Sequence, residues 1–337
     1  MVLNRQWIYV ERPQGLVGPE HYRVVSQPLA VGDQIVVEIR YWSVDPYMRI
    51  QQAEQHTWEE PHALNTVQQG DAIGQVISVP HNESRIKIGD WVQGYWGWQT
   101  HVALPPSEVV VWDPSMPPTS ALGVLGMPGR TAWFGLLEGG KPKAGETLLV
   151  SGAAGAVGSL VAQFGKKLGL KVVGIAGGSE KGRFLVEDLG LDAAIDYKSG
   201  LGPVLDEALA LACPNGIDVY FDNVGGPISD QVIPRLNVGG RMVVCGQISQ
   251  YNGQLDQPEL GPRLLHHILY KRATIQGILA RDFKDRMPEL FAQVGPWVRN
   301  REIQVAETII QGFERLPEAL SALFSGKNTG KLIVQAY

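Results

Sequence analysis

The sequence predicts an α/β protein in which a doubly wound parallel sheet follows a β-rich N-terminal domain. Three features support this prediction. Short segments of β-branched residues fill the chain to about Pro128, whereas apolar strands alternate with helices after Gly145. A glycine-rich turn joins the first strand of that second part to its helix. Because parallel strands need crossover connections, which are usually helices, the alternation indicates a parallel sheet.

The N-terminal part is predicted to be a barrel-like or sandwich-like β domain. Its clearest strands are residues 34–41 (QIVVEIRY), residues 72–79 (AIGQVISV) and Thr100–Leu104, with Gly, Asp, Pro and Asn between them. Eight of the nine tryptophans lie in this part or at its junction with the next: Trp7, Trp42, Trp58, Trp91, Trp96, Trp98, Trp112 and Trp133.

The second part is predicted to carry the parallel sheet. After the glycine-rich turn a helix runs through Leu168, and another helix runs from about Ser179 to Leu189. The predicted strands are Glu146–Ser151, Lys171–Ala176, Ala193–Asp196, Ile217–Asp222 and Arg241–Cys245.

Two domains are expected from 337 residues. We place the first at residues 1–128, completed by residues 301–337, because the final strand–helix–strand segment does not easily extend a parallel sheet. The second domain is then residues 129–300.

Composition excludes several classes of protein. Lys and Arg number 29 against 34 Asp and Glu, a net charge of −5, and no basic block is present, which disfavours nucleic-acid binding. Apolar runs are far shorter than the roughly 20 residues that cross a bilayer, and the N-terminus does not resemble a signal peptide. The two cysteines, Cys213 and Cys245, cannot form a disulfide framework. A soluble cytoplasmic protein with no membrane partner is predicted.

The glycine-rich turn, Ser151–Ser159 (SGAAGAVGS), predicts nucleotide binding. Its glycines at 152, 155 and 158 follow a strand and open a helix, so backbone N–H groups can approach a pyrophosphate that the helix N-terminus favours. The spacing is GxxGxxG rather than GxGxxG. The alternative is an ordinary strand–helix turn.

The end of the second strand favours NADP(H) over NAD(H). NAD sites usually place an Asp or Glu there for the ribose 2′-OH, but residues 176–179 are AGGS. Lys181, with the Ser179 hydroxyl, could hold a 2′-phosphate. The alternative is that Lys181 is a solvated lysine in the first helical turn.

The whole chain resembles the zinc-independent medium-chain dehydrogenase/reductase superfamily, in its prostaglandin reductase and alkenal double-bond reductase family, which includes bacterial curcumin-reductase-like enzymes. The resemblance implies a GroES-like N-terminal domain, a Rossmann domain and a homodimer. It rests on VDPYMR (44–49), GMPGRTAWFGLL (126–137), AAGAVGS (153–159), EK (180–181), DYK (196–198), FDNVGG (221–226), CGQISQYN (245–252) and GKNTGK (326–331).

No metal site is expected. Zinc members of the superfamily draw a Cys and a His from the N-terminal domain, and this sequence has no Cys before Cys213. The histidines have neither a thiol partner nor ligand spacing: His21, His56, His62, His81, His101, His266 and His267.

The resemblance assigns cofactor roles by position. Gly155–Gly158 would hold the pyrophosphate, Lys181 the 2′-phosphate and Tyr197 the adenosine phosphate end. Asn223 is expected at the carboxyl edge of the sheet, where ligands bind; the alternative, a turn former before Gly225 and Gly226, is compatible with that role. The resemblance also implies cofactor contacts for Met127, Thr131, Ala156, Val157, Ser179, Cys245, Gly246, Gln247, Ile248, Ser249, Tyr251, Ile278, Leu279, Ala280 and Asn328.

The predicted activity is NADPH-dependent reduction of a carbon–carbon double bond conjugated to a carbonyl, in an enone or enal. Hydride would pass from nicotinamide C4 to the β-carbon, and Tyr251 with the ribose 2′-OH would stabilise the enolate. Tyr47 and Arg49 could line the substrate pocket, while core packing is the alternative for Tyr47. Two other functions stay open: an NADPH-dependent quinone reductase, and a non-catalytic NADPH-binding protein.

Overall fold

The first part of the chain forms two β-sheets in this computed structural model, which describes residues 2–54, 56–253 and 259–337. One sheet has the order β2-β1-β4; the other contains β3, β5, β6 and β8 in line, with β7 also paired to β3. The elements are β1 (Leu3–Tyr9), β2 (Tyr22–Pro28), β3 (Ile35–Ser43), α1 (Tyr47–Gln51), β4 (Thr66–Val67), β5 (Ala72–Ser78), β6 (Trp91–Gly94), β7 (His101–Leu104) and β8 (Val110–Val111).

The middle of the chain forms a six-stranded parallel sheet with the order β11-β10-β9-β12-β13-β14. Its elements are α2 (Met127–Phe134), β9 (Thr147–Ser151), α3 (Ala156–Lys167), β10 (Lys171–Ala176), α4 (Ser179–Arg183), β11 (Ala193–Asp196), α5 (Pro203–Ala212), β12 (Ile217–Asp222), α6 (Gly226–Val232), β13 (Leu236–Val244), α7 (Leu265–Lys271), β14 (Thr274–Gly277) and α8 (Met287–Arg299).

This strand order confirms the predicted α/β fold with a doubly wound sheet. From β9, the strands β10 and β11 are added on one side of the sheet, and β12, β13 and β14 are added on the other, as in dinucleotide-binding sheets. The direction of winding therefore reverses between β9 and β12. Ligands of such sheets bind at the carboxyl ends of the strands beside that point.

The last part of the chain returns to the N-terminal sheet. It consists of β15 (Glu307–Gln311), α9 (Leu316–Leu323) and β16 (Lys331–Gln335). β16 pairs antiparallel with β3, and β15 lies parallel to β16 at the edge. Just before β16, the Gly330 N–H donates to the Ala154 carbonyl oxygen at 2.7 Å. The returning segment therefore touches the glycine-rich turn, while the domain limits remain a prediction.

Strand β13 begins five residues earlier than the predicted Arg241. Asn237 and the glycines at 239 and 240 are turn formers, yet the strand continues through them. Its register against β12 shifts between Ile217, which faces Leu236, and Val219, which faces Arg241. A local irregularity in β13 accommodates its extra residues, so that the parts of β13 before and after it both pair with β12.

The tryptophans contribute to the cores, as expected for large apolar side chains. Trp42 and Trp98 are fully buried in the N-terminal part, and Trp133 packs edge-on against Phe164 beneath the parallel sheet. None of the helices in the described ranges is long and apolar enough to span a membrane.

Candidate active site

A cavity of about 1030 Å³ lies at the carboxyl ends of β9 and β12, between the parallel sheet and the N-terminal part. Most of the predicted site residues line it. They are Tyr47, Met127, Thr131, Gly155, Ala156, Val157, Gly158, Lys181, Tyr197, Asn223, Cys245, Gly246, Ile248, Ser249, Tyr251, Ile278, Leu279, Ala280 and Asn328. Arg49, Ser179 and Gln247 do not line it.

The glycine-rich turn presents backbone amides to this cavity. Gly152 has a φ of +59°, which favours glycine, and a Cβ on Gly158 would collide with the Gly152 carbonyl oxygen. The turn therefore packs directly under α3. Because the first amides of a helix lack partners within it, those of Ala156, Val157 and Gly158 are available to an anion.

Asp222, which the sequence analysis did not single out, fixes the geometry between β9 and β12. It is fully buried, and its carboxylate accepts hydrogen bonds from the hydroxyls of Ser151, Tyr220 and Ser229. Asn223 is held alongside, because its side-chain amide donates to the Ser151 carbonyl oxygen at 2.8 Å. The sequence did contain a signal for Asp222, namely a carboxylate at the end of the mostly apolar strand IDVYFD.

Lys181 spans the cavity edge to the returning segment. Its Nζ donates to the carbonyl oxygens of Gly326 at 2.9 Å and Asn328 at 2.6 Å. Burial and the nearby charge of Lys198 lower the pKa of Lys181. The ammonium is thus fixed beside the end of β10, where a 2′-phosphate would enter.

The residues around Lys181 fit NADP(H). Ala176 and Gly177 line the cavity at the end of β10, and a Cβ on Gly177 would lie 2.9 Å from the Tyr197 ring. The nearby Asp196 carboxylate already accepts the amides of Gly178 and Lys198 and does not line the cavity. Glu180 lies near Lys181 but does not line the cavity, so this end presents a cationic side chain and no carboxylate, which suits a phosphate rather than a free ribose diol.

Tyr251 places a phenol oxygen in the loop that follows β13. The Gln247 N–H donates to this oxygen at 2.9 Å. Burial raises the pKa of Tyr251 to about 12, so the phenol is protonated at neutral pH. Since the oxygen accepts this bond, its own proton remains available for donation to a ligand.

The opposite side of the cavity carries phenols and charged groups. Tyr47, Trp58, Asp71 and Tyr95 all line it. Burial, with Tyr95 and then the carboxylates of Asp45 and Asp71, raises the pKa of Tyr47 well above its usual value. Sequence reasoning missed Trp58, Asp71 and Tyr95, which lie on loops or strand ends without a local motif.

Arg49 does not contribute to the cavity, contrary to the sequence prediction. Its Nε donates to the Gly15 carbonyl oxygen at 3.0 Å, and another of its nitrogens donates to Pro13. Arg49 lies two residues after Tyr47 on the short helix α1. Its side chain therefore points to the N-terminal segment and not into the cavity. Its role is to hold that segment.

A buried ion pair joins the N-terminal part to the returning segment. Lys331 Nζ lies 2.8 Å from Asp45 Oδ1 and donates to the Val44 carbonyl oxygen at 2.7 Å. Both side chains are only 3% exposed. Breaking such a pair on one side leaves an uncompensated buried charge, so it fixes this edge of the cavity strongly.

Both cysteines lie in the described part of the chain and are at least partly buried. Burial raises the pKa of Cys245 to about 12 and that of Cys213 to about 11, which keeps both thiols protonated. His, Cys, Asp and Glu side chains there form no group of three that could hold a metal ion.

Comparison with known proteins identifies the family. Residues 5–111 match a model described as the N-terminal domain of oxidoreductase, and residues 156–295 match one described as zinc-binding dehydrogenase. The NADPH-dependent curcumin reductase of Escherichia coli is 40% identical, over 98% of this chain and 96% of its own length.

Two further similarities agree with this identification. The NADP(+)-dependent 2-alkenal reductase of Nicotiana tabacum is 38% identical, over 90% of this chain and 87% of its own. The crystal structure of CurA from Vibrio vulnificus in complex with NADPH superposes with a TM-score of 0.90, at 39% identity and 99% coverage of both chains. The chain therefore belongs to the medium-chain dehydrogenase/reductase superfamily of oxidoreductases and, within it, to the prostaglandin reductase and alkenal reductase family.

Proposed function

We propose that this oxidoreductase uses NADPH to reduce the carbon–carbon double bond of α,β-unsaturated ketones and aldehydes, without zinc. The observation that carries the proposal is one cavity that combines a phosphate-binding turn, Lys181 and the proton-donating phenol of Tyr251. NADP(H), the cofactor predicted from the sequence, is confirmed by relatives named as NADP-dependent and by the CurA structure with NADPH.

Residues of the parallel sheet and the returning segment would hold the cofactor. The amides of Ala156 to Gly158 would bind its pyrophosphate, and the Lys181 ammonium would bind the 2′-phosphate. Tyr197, Asn223 and Asn328 line the same side of the cavity and would complete the contacts. Bound NADPH supplies the hydride for the reduction.

Tyr251 is assigned to the substrate carbonyl. Negative charge develops on that oxygen when the conjugated double bond accepts a hydride. A donor already oriented towards the oxygen stabilises this charge without reorganisation. The Gln247 N–H holds the phenol oxygen in place, which leaves the phenol proton for the substrate.

Substrate turnover with a panel of acceptors tests the proposal. The loss of nicotinamide absorbance should be rapid with enones and enals and slow with quinones and simple aldehydes. The product should keep its carbonyl and lose the double bond. Rapid turnover of quinones alone would favour the quinone reductase alternative, and no turnover with any acceptor would favour a binding protein.

A homodimer is the second part of the proposal. β14 is an edge strand whose four residues are exposed, and helix α7 beside it exposes Leu265, Leu269 and Tyr270. Open edges pair with other strands, and a second copy can supply the same edge by two-fold symmetry. Analytical ultracentrifugation should find a dimer that Ile275→Glu dissociates; a monomeric wild type would contradict it.

A further inference from the structure

The substrate side of the cavity holds a guanidinium that the proposed reaction does not use. Arg130, on α2, lines the cavity, and its Nε is buried without a hydrogen-bond acceptor among the described residues. Burial lowers the pKa of Arg130 and the Asp71 carboxylate opposes this. Arg130 as a whole is half-buried, but a buried N–H donor without an acceptor is costly, and a bound anion that accepts from Nε would relieve that cost.

Asp71 shows that Arg130 lies in the substrate half rather than at the glycine-rich turn. Burial and Asp45 raise the pKa of Asp71 to about 6, while Arg130, Lys331 and Lys284 lower it. Asp71 is the residue immediately before β5 and lines the cavity with Tyr47 and Tyr95. Within the ranges that the structure describes, Asp71 and Arg130 form no ion pair within 4.0 Å.

The charges of this half leave a positive excess. Lys331 and Asp45 neutralise each other at 2.8 Å, and Arg281 lies 3.7 Å from Glu59 at the rim. The remaining groups around Asp71 are Arg130 and Lys284, so one negative charge faces two positive charges. A monoanion balances this excess, whereas a phosphate dianion would exceed it.

We propose that Arg130 forms an anion subsite that selects enones and enals carrying a carboxylate group. This inference rests on the proposed double-bond reduction and names the substrate class for it. A guanidinium binds a carboxylate through two parallel hydrogen bonds, which fixes orientation as well as affinity. The Asp71 carboxylate lines the same cavity and repels a substrate carboxylate, so it weakens the preference that Arg130 creates.

Matched substrate pairs test the subsite. Each pair is a straight-chain enone with a terminal carboxylate and its methyl ester, with spacers of several lengths. For at least one spacer, kcat/KM of the acid should exceed that of the ester by about tenfold or more, since hydrogen bonds to charged groups are worth roughly ten- to a hundred-fold.

Variants then assign the preference to particular side chains. Arg130→Leu should lower the acid-to-ester ratio about ten- to a hundred-fold, Arg130→Lys should lower it less, and Asp71→Asn should raise it. Arg299→Leu removes the same charge from the surface outside the cavity and should leave the ratio unchanged. If Arg130→Leu does not fold, the Lys and Asn variants still decide the question.

Three outcomes would overturn the subsite. These are an acid-to-ester ratio at or below one for every spacer, an equal loss for acid and ester in Arg130→Leu, or weaker NADPH binding with an unchanged ratio. If neither the acid nor the ester is reduced with any spacer, the proposed double-bond reduction fails instead. Calorimetric titration of the saturated keto acid and its ester, with NADP⁺ present, then still measures the Arg130-dependent preference.

Discussion

Replacing Tyr251 by phenylalanine removes one hydroxyl from the cavity and keeps the ring that shapes the loop. Loss of one donor to a developing oxyanion costs about a hundred- to a thousand-fold in turnover. The nicotinamide ribose 2′-OH is expected to share the task, so we expect a decrease of about ten- to a hundred-fold. Since the interaction forms in the transition state, kcat and kcat/KM should fall together, with little change in NADPH affinity.

The measurement is steady-state reduction of an enone with NADPH and with NADPH deuterated at C4. The isotope effect establishes that hydride transfer limits the rate. Tyr337→Phe removes a hydroxyl from an exposed tyrosine at the other end of the chain and should behave as wild type. Near-wild-type turnover by Tyr251→Phe under these conditions would refute the assigned role.

Gly246 offers an independent test of the same hydroxyl. A Cβ at this position would lie 2.8 Å from the Tyr251 oxygen, so Gly246→Ala should displace the phenol. It should slow the wild-type enzyme but add little to Tyr251→Phe, because the group it displaces is already gone. Additive losses in the double variant would mean that Gly246→Ala acts independently of the Tyr251 hydroxyl.

Three other predictions follow from the site. Lys181→Ala should weaken NADPH binding about ten- to a hundred-fold and leave NADH binding nearly unchanged, measured by fluorescence titration; equal weakening would mean that Lys181 only holds Gly326 and Asn328. Chelators should leave activity intact, and zinc-dependent recovery after chelation would contradict the zinc-free proposal. Asp71 has a folded-state pKa raised from 3.8 to about 6, so its ionisation destabilises the fold as the pH rises through that window. Asp71→Asn should therefore stabilise the protein above pH 6 by about 1–3 kcal/mol and have no such effect below pH 4, in denaturant unfolding; the same gain at both pH values would exclude titration as its cause.

The parallel sheet could be predicted because its signals are local. Strands buried on both faces are continuous apolar runs, and β10, β11 and β12 have the predicted limits. β13 was placed less well, because a register shift over Asn237 and Gly239 leaves no mark in the apolar pattern. The family resemblance then added positions that no pattern indicates, such as Asn328.

One half of the cavity could be predicted from the sequence and the other could not, and the reason is physical. The glycine-rich turn is one contiguous segment whose proposed role depends on its own backbone, so residues 151–159 carry the signal. The opposite half is assembled from separate segments: Lys331 bonds to Asp45 across 286 positions, and Arg130 lies near Asp71 from a different element. Within its own segment, each of these four residues is an ordinary charged residue that no local pattern marks. Only the fold reveals that Asp45 and Lys331 neutralise each other and that Arg130 lines the cavity with its Nε lacking an acceptor among the described residues.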